Sequence, residues 1–376
     1  MSLSNKELAR YARHFALPAF GMRGQKKLKQ SKVLVVGAGG LGSPLLLYLA
    51  AAGIGHIGII DYDVIDETNL QRQVLYTMDD IGLSKAEIAK KKLLALNPYI
   101  KISIYKEALN IANALSIIKQ YDVIADGTDN FPTRYLVNDA CVLSGKVNVY
   151  ASIFRYEGQV SVFNYLNEDG SRGPNYRDLF PSPPPAGMVP NCAEGGVLGV
   201  LPGIIGSLQA NEVIKVLTGI GEPLSGRLFL FDAASFMTRV LKVPKVSTTQ
   251  ITELIDYEEF CGIPREDKKP KVKEVSVQTL KELKDANADF QLIDVREPYE
   301  YEIAQIEGQL IPLGEILNHE NAISKEKQVI IHCRSGKRSA DAILQLEEKF
   351  GLTNLYNLRG GILAWAEEVD KEMLKY

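Results

Sequence analysis

Up to Asp126 the apolar residues fall in short runs separated by glycines and by amphipathic stretches. Lys32-Val33-Leu34-Val35-Val36 is a β-branched run that predicts a strand, and Gly37 to Gly42 predicts a turn. The apolar stretch after it predicts a helix with Pro44 in its first turn, where proline is tolerated, and Gly53 as its stop. Ile57 to Ile60 reads as a second buried strand ending at Asp61. A helix over Lys85–Asn97, a strand near Ile100 to Tyr105, and Val123-Ile124-Ala125 running into Asp126 continue the alternation. Strands alternating with helices predict an α/β fold, with a mostly parallel sheet covered on both faces.

Two stretches interrupt this rhythm. Six prolines lie between Pro174 and Pro190, including Pro183-Pro184-Pro185, which predicts an irregular lid or crossover loop. The segment EDKKPKVKE, Glu266 to Glu274, is charged at seven of nine positions and reads as a linker. A fresh hydrophobic pattern starts at Val275. The expected organisation is therefore a domain over 1–265, a linker over 266–274 and a small domain over 275–376. A length of 376 residues fits two to three domains.

Composition narrows the class. Hydrophobic residues make up 46% and charged ones 24%, as in ordinary soluble globular proteins. The net charge of −3, from 43 basic and 46 acidic residues, excludes the broad basic footprint of a general nucleic-acid binder. The longest apolar run, Pro44 to Ile60, is broken by Gly53, Gly55, His56 and Gly58 and reads as helix then strand, so no membrane partner is expected. The basic residues among the first 30 give no signal-peptide pattern. Four cysteines, at 141, 192, 261 and 333, stand too far apart for CxxC spacing and suit a reducing, cytoplasmic setting.

Gly37, Gly39 and Gly42 form GxGxxG between a strand and a helix, and Asp61 follows nineteen residues after Gly42. Glycines let the backbone approach a phosphate, the helix N-terminus offers N–H donors, and the acid can grip ribose hydroxyls. Taken alone, the motif would favour a nicotinamide oxidoreductase. Asn69-Leu70-Gln71-Arg72-Gln73, Lys85, and Asp129-Asn130 after the next strand shift the balance. An arginine, a lysine and an extra carboxylate suit triphosphate chemistry, where cations neutralise phosphoryl charge and a carboxylate holds Mg²⁺.

RYARH at Arg10 to His14, GAGGLGS at 37–43, DYDVID at 61–66, TNLQRQ at 68–73 and DGTDN at 126–130 together resemble the MoeB/ThiF adenylyltransferases, relatives of ubiquitin-activating enzymes with a Rossmann-like fold. The resemblance covers about residues 4–262. It implies that Gly37, Gly39, Gly40, Gly42, Asp61, Asn69, Arg72, Lys85, Asp129 and Asn130 bind Mg·ATP, with Asp129 on the metal. It further implies a homodimer in which Arg13 reaches the neighbouring subunit's phosphates. The implied reaction adenylates the C-terminal Gly-Gly carboxylate of a ubiquitin-like sulfur-carrier protein. A scaffold that only binds such a partner, and a relative acting on a tRNA carboxylate, are the competing readings within this resemblance.

The cysteines divide by setting. Cys141 and Cys261 read as structural. Cys192 follows the proline-rich loop and precedes a glycine-interrupted helical run, in a stretch resembling the sulfur-transferring family members, which implies a thioester or acyl disulfide with the carrier. Direct attack on the adenylate is the alternative. Cys333 sits in HCRSGKRS, between an apolar strand over Gln328 to Ile331 and a helix from Ala340 onward. Backbone N–H groups with Arg334, Lys337 and Arg338 favour an anionic sulfur in such a loop.

A phosphatase loop of this type needs five residues between cysteine and arginine, whereas four separate Cys333 from Arg338. The loop Cys333, Arg334, Ser335, Gly336, Lys337 and Arg338 instead resembles the rhodanese sulfurtransferases, which carry a persulfide on this cysteine. LIDVREPYEY at 292–301 and LRGGILAW at 358–365 share the resemblance, while Ala304-Gln305-Ile306 departs from a frequent Gly-His-Ile. An upstream persulfide donor such as a cysteine desulfurase is then implied. Many adenylyltransferase relatives bind zinc through two CxxC pairs. Asn175 and Asp178 occupy the first pair's positions and no cysteine stands near Lys242 to Ser247, so no zinc is expected.

Overall fold

The computed structural model describes residues 2–184, 196–246, 250–263 and 272–375. The chain divides into two compact units, Met1–Arg265 and Glu266–Tyr376.

In the first unit eight strands form one sheet. They are β1 (Lys32–Val36), β2 (His56–Ile60), β3 (Lys101–Tyr105), β4 (Val123–Asp126), β5 (Val147–Phe154), β6 (Glu157–Phe163), β7 (Arg227–Asp232) and β8 (Met237–Lys242). Their order is β3-β2-β1-β4-β5-β6-β7-β8. Strands β3, β2, β1, β4 and β5 pair parallel, with Val33 opposite both Ile57 and Val123. Alternate residues of β1 enter different cores. Val33 and Val35 pack with Leu28, Leu45 and Leu49, whereas Leu34 and Val36 pack with Ile124, Tyr135 and Ala140. Burial on both faces is why the strand reads as one unbroken apolar run.

The chain leaves β1 through the Gly42–Ala52 helix to β2 on one side, and after β3 returns to β4 on the other. Strand order thus reverses between β1 and β4, and the crevice beyond their carboxyl ends is where open α/β sheets bind ligands. The expected α/β class is observed. The sheet is less parallel than the alternation suggests, because β6, β7 and β8 run antiparallel. Only Arg155 and Tyr156 join β5 to β6, with Arg155 at φ 53°, too short a link for the crossover a parallel partner needs. The proline-rich stretch also departs from expectation. Tyr176–Leu179 forms a helical turn capped by Asn175, in the gap between Pro174 and Pro181.

The second unit holds β9 (Glu274–Val275), β10 (Phe290–Asp294), β11 (Gln309–Leu310), β12 (Gln328–His332) and β13 (Leu355–Leu358). All pair parallel, in the order β11-β10-β12-β13-β9. The Val277–Asp285 and Gly361–Glu368 helices cover one face, packing Leu280, Ile362 and Trp365 against Leu292 and Ile330. The Lys337–Phe350 helix covers the other, with Ala342, Ile343 and Leu346 against Val329 and Ile331. Among the described residues no helix is long and apolar enough to cross a membrane.

Gly55 marks how closely the first unit is packed at the entrance to β2. A Cβ there would stand 1.8 Å from the Lys29 carbonyl oxygen, in backbone that already receives the Gly55 N–H through Leu28. Gly55→Ala is expected to cost about 1–3 kcal/mol, typical of overpacking. Urea denaturation should then show a lower midpoint at constant slope; an unchanged midpoint would mean that the Gly21–Gln30 helix yields freely.

Candidate active sites

Beyond β1 and β4 lies a cleft of about 150 Å³. Of the expected nucleotide residues, Gly37, Gly39, Gly40, Asp61, Arg72, Lys85, Asp129 and Asn130 line it together. The glycine turn is fixed by contacts along and across it. Gly37 has φ 90°, and a Cβ on Gly42 would stand 2.1 Å from the Gly37 carbonyl oxygen. The Ala38 N–H donates to Asp61 Oδ2 at 2.7 Å, and the Tyr76 hydroxyl donates to Ala38 O at 2.8 Å. Asp61 Oδ1 accepts from the Asp63 N–H at 2.8 Å. Burial pushes the Asp61 pKa up, opposed by these two N–H donors and the Lys85 charge.

Lys85 opens the Lys85–Leu96 helix, and its ammonium meets Asp63 Oδ2 at 2.9 Å while the rest of the side chain is buried. Arg72 is half-buried, and its guanidinium donates to Thr68 O at 3.1 Å. After β4, Asp126 is fully buried and accepts from the Thr128 N–H and hydroxyl at 3.0 and 2.6 Å. This bond pair turns the chain so that Asp129 is exposed at the cleft. Asn130 lines the cleft and also caps the Phe131–Leu143 helix by accepting from the Thr133 N–H at 3.0 Å.

Three expected residues lie outside this lining. Gly42 packs behind the turn. Asn69 ends a Glu67–Asn69 turn, where its carbonyl accepts from the Arg72 and Gln73 N–H groups and so sets the direction of the chain carrying Arg72. Arg13 is exposed on the short Ala12–Phe15 helix. Sequence reasoning passed over Tyr62, Asp63, Thr128 and Arg134 and took Gln73 only as part of an amide-rich run, and all five also line the cleft. Four of these stand inside the quoted motifs, so the signal was present. Arg134 is buried one helical turn beyond Asn130, with its guanidinium on Thr128 O at 3.1 Å.

The stretches around Asn175–Asp178 and Lys245–Val246 are joined by polar contacts. Asn175 caps the Arg177 N–H, Asp178 Oδ1 accepts from the Val246 N–H at 3.1 Å, and Lys245 donates to Arg172 O. Arg177 grips buried Asp139 through Nε and Nη2 at 2.9 and 2.7 Å, and Tyr257 donates to the same carboxylate. Cys192 lies outside the described residues. Cys141 and Cys261 are buried in one core cluster, and burial pushes both thiols up, Cys261 to about 11.

In the second unit Cys333 follows β12 and is 1% exposed. Its Sγ accepts from the Gly336 N–H at 3.2 Å, at the start of the Lys337–Phe350 helix. The helix begins three residues earlier than its apolar pattern indicates. Ser335 and Lys337 are exposed, whereas Arg338 is taken up by buried Glu300 in two 2.6 Å bonds. Burial alone would raise the Glu300 pKa, yet Arg338 holds it below the usual carboxylate range. The loop carbonyls of Cys333 and Arg334 accept from the Ile362 and Leu363 N–H groups at 2.9 and 3.1 Å. Gly361, at φ 60°, permits this approach, since its Cβ would meet the Cys333 carbonyl oxygen at 2.4 Å. Beneath the loop, Arg296 and Asp294 form a fully buried pair at 2.5 Å.

The sequence matches the ThiF family over residues 11–251. The chain belongs to the ThiF family. Residues 276–368 match the Rhodanese-like domain. It is 48% identical to the probable adenylyltransferase/sulfurtransferase MoeZ of Mycobacterium tuberculosis, over 100% of this chain and 97% of that one. Against the adenylyltransferase and sulfurtransferase MOCS3 of Drosophila yakuba identity is 43%, over 98% of this chain and 85% of that one. The crystal structure of E. coli MccB with ATP superposes with a TM-score of 0.56 at 25% identity, covering 66% of this chain and 74% of that one. By class, this ThiF-family chain is an adenylyltransferase fused to a rhodanese-type sulfurtransferase.

His332, next to Cys333, is fully buried, and burial pushes its pKa down to about 4. The unfolded chain then binds a proton between about pH 6.5 and 4 that the folded unit refuses, so stability is present above 6.5 and is lost as pH falls toward 4. Urea midpoints of the second unit should decline across that window. His332→Asn should flatten the decline, and an equal decline in the variant would assign it to other groups.

Proposed function

We propose that the first unit transfers AMP from ATP to the C-terminal Gly-Gly carboxylate of a ubiquitin-like sulfur-carrier protein, and that the second unit supplies sulfur as a Cys333 persulfide. The observation that carries the reading is the cleft itself, where Arg72, Lys85, Asp61 and Asp129 converge on the glycine turn. A carboxylate oxygen of the carrier attacks the α-phosphorus, and pyrophosphate leaves. The glycine-turn N–H groups and the Arg72 and Lys85 cations take up phosphate charge, while Asp61 holds the ribose. Positioning and charge neutralisation suffice for this step.

Mg²⁺ is a hard cation that typically takes one or two protein carboxylates together with substrate phosphates. Asp129 fits that role, as an exposed carboxylate on the cleft, and no group of three or more metal-ligating side chains exists among the described residues. Bound there, the ion would neutralise charge on the departing pyrophosphate. The solved structure of the microcin C7 biosynthetic enzyme MccB in complex with N-formylated MccA, at a TM-score of 0.56 and 25% identity, supports a second substrate beside ATP for this fold.

In the second step the terminal sulfur of the Cys333 persulfide attacks the carrier's acyl carbon and displaces the Cys192 thiolate, which had itself displaced AMP, and a dithiol reductant splits the resulting acyl disulfide into carrier thiocarboxylate and free Cys333. Cys192 is proposed to hold the carrier covalently between the steps. A cysteine desulfurase or a similar donor would recharge Cys333. The reading also takes the chain as a cytoplasmic homodimer in which Arg13 serves the neighbouring copy's cleft.

Carrier-dependent ATP–pyrophosphate exchange tests the first step. Asp129→Ala and Arg72→Ala should each lower it by about 10²–10³, the usual cost of one transition-state charge partner. Exchange without a carrier, or tight NAD(H) binding with no ATP binding, would overturn the reading. Mixing Arg13→Ala with Asp129→Ala chains should restore part of the exchange. Recovery absent in the mixture would remove Arg13 from the neighbour's site.

A further inference from the structure

The immediate surroundings of Cys333 contain a hydroxyl that belongs to no part of the reading above. Ser339, fully buried in the first turn of the Lys337–Phe350 helix, places its Oγ 3.4 Å from Cys333 Sγ and 2.6 Å from Asn357 Oδ1. Asn357 on β13 is 3% exposed, and its Nδ2 donates to Glu274 Oε1 at 3.4 Å. By accepting that bond, Glu274 keeps the Asn357 carbonyl oxygen turned toward Ser339. A serine hydroxyl has one proton and two lone pairs. It cannot donate to the sulfur and to Asn357 together.

The two directions of that proton correspond to two states of the cysteine. With the proton on the Asn357 side, Ser339 offers a lone pair to the sulfur and accepts an S–H. With the sulfur anionic, an S–H is gone and the hydroxyl must supply the proton. We propose that Ser339 is a positioning residue whose hydroxyl turns from Asn357 to Cys333 when the sulfur becomes an anion, Asn357 holding the proton between turnovers. The inference rests on Cys333 being the sulfur-carrying residue. In that chemistry the Cys333 thiolate attacks the outer sulfur of a donor persulfide. The new S–S bond forms with the cysteine's electron pair as the donor's S–S bond breaks, and the donor leaves as a thiolate. Ser339 stabilises the attacking anion, with the Gly336 N–H as the second donor.

The charges on the elements packed around the sulfur are few. Arg334, Lys337 and Arg338 come from its own loop and helix, with Arg338 taken up by Glu300 of the Pro298–Ile303 helix. Glu274 stands beyond Asn357, the pair of Asp294 at the end of β10 and Arg296 just after it neutralises itself, and His332 is uncharged near neutral pH.

The test is the pH profile of Cys333 alkylation by iodoacetamide in the full chain, followed on the Cys333 peptide by mass spectrometry. Ser339→Ala should raise the midpoint by about one pH unit, a tenfold loss of thiolate at fixed pH. Ser339→Thr, which keeps the hydroxyl, should restore the wild-type midpoint. Asn357→Ala should move it the opposite way, because the competing acceptor is gone. A midpoint unmoved by Ser339→Ala, or raised equally by Ser339→Thr, overturns the proposal, since a purely structural serine would alter stability without this pattern. Incubation with a low-molecular-weight persulfide separates the two readings: wild-type protein that takes up no sulfur overturns the sulfur-carrier role and leaves the alkylation result standing.

Discussion

The peptide of Ala38 is held from both sides, its N–H by Asp61 and its carbonyl by Tyr76. Asp61 is the first residue after β2, and the Tyr76 hydroxyl also reaches the carbonyl of Lys85 at 3.3 Å. One peptide group therefore fixes the glycine turn against the end of the neighbouring strand and the start of the lysine-bearing helix. The cations and carboxylates of the cleft inherit their spacing from this grip. Asp61 bonds the turn through Oδ2 and Asp63 through Oδ1, so both carboxylate oxygens are already fixed at the cleft. Burial works against its charge, and the N–H donors are what keep a carboxylate tolerable there.

The second unit solves a related problem with different means. In both units a parallel strand stops, the chain turns through glycine with positive φ, and a helix starts. The first turn opens on a cleft and keeps Arg72 and Lys85 at its rim. The second closes over a sulfur atom, and its Arg338 is bound by a buried glutamate. A loop one residue shorter than a phosphatase loop, with one cation already neutralised, suits the sulfane sulfur proposed for Cys333 better than a phosphoryl group. Beneath it, Arg296 also donates to the carbonyls of Glu300 and Ala304, so the ion pair does the work of a backbone brace. That use compensates the desolvation of two charges.

Much of this was legible in the sequence because it is local. The run 32–36, the glycine turn, Gly53 as the stop and Asp61 at the end of β2 all express short-range periodicity and turn chemistry. The cleft residues could be gathered because each follows a strand end on the same edge of the sheet. The antiparallel extension β6–β8 was not legible from the helix–strand alternation, because nothing in that rhythm marks where hairpins begin; the deciding feature is the two-residue link at Arg155-Tyr156. Nor was the partner of Arg338, since Glu300 lies 38 residues away in sequence. Asn130 shows a different limit. Its position suggested a ligand, and its side-chain oxygen also caps a helix, a use that the same residue type serves equally well.

The contacts from the Gly361–Glu368 helix to the cysteine loop bear on when the second site can exist at all. Cys333 and Arg334 need N–H donors from Ile362 and Leu363 to fix their carbonyls. Synthesis runs from N- to C-terminus at roughly 5–20 residues per second, so the loop sequence leaves the ribosome before its own clamp has been made. The lining of the first unit's cleft, from Val36 to Ile153, is complete in sequence long before that. A growing chain can therefore carry a finished cleft in its first unit while its cysteine loop is still an open segment, and that loop is clamped only once the module is nearly whole.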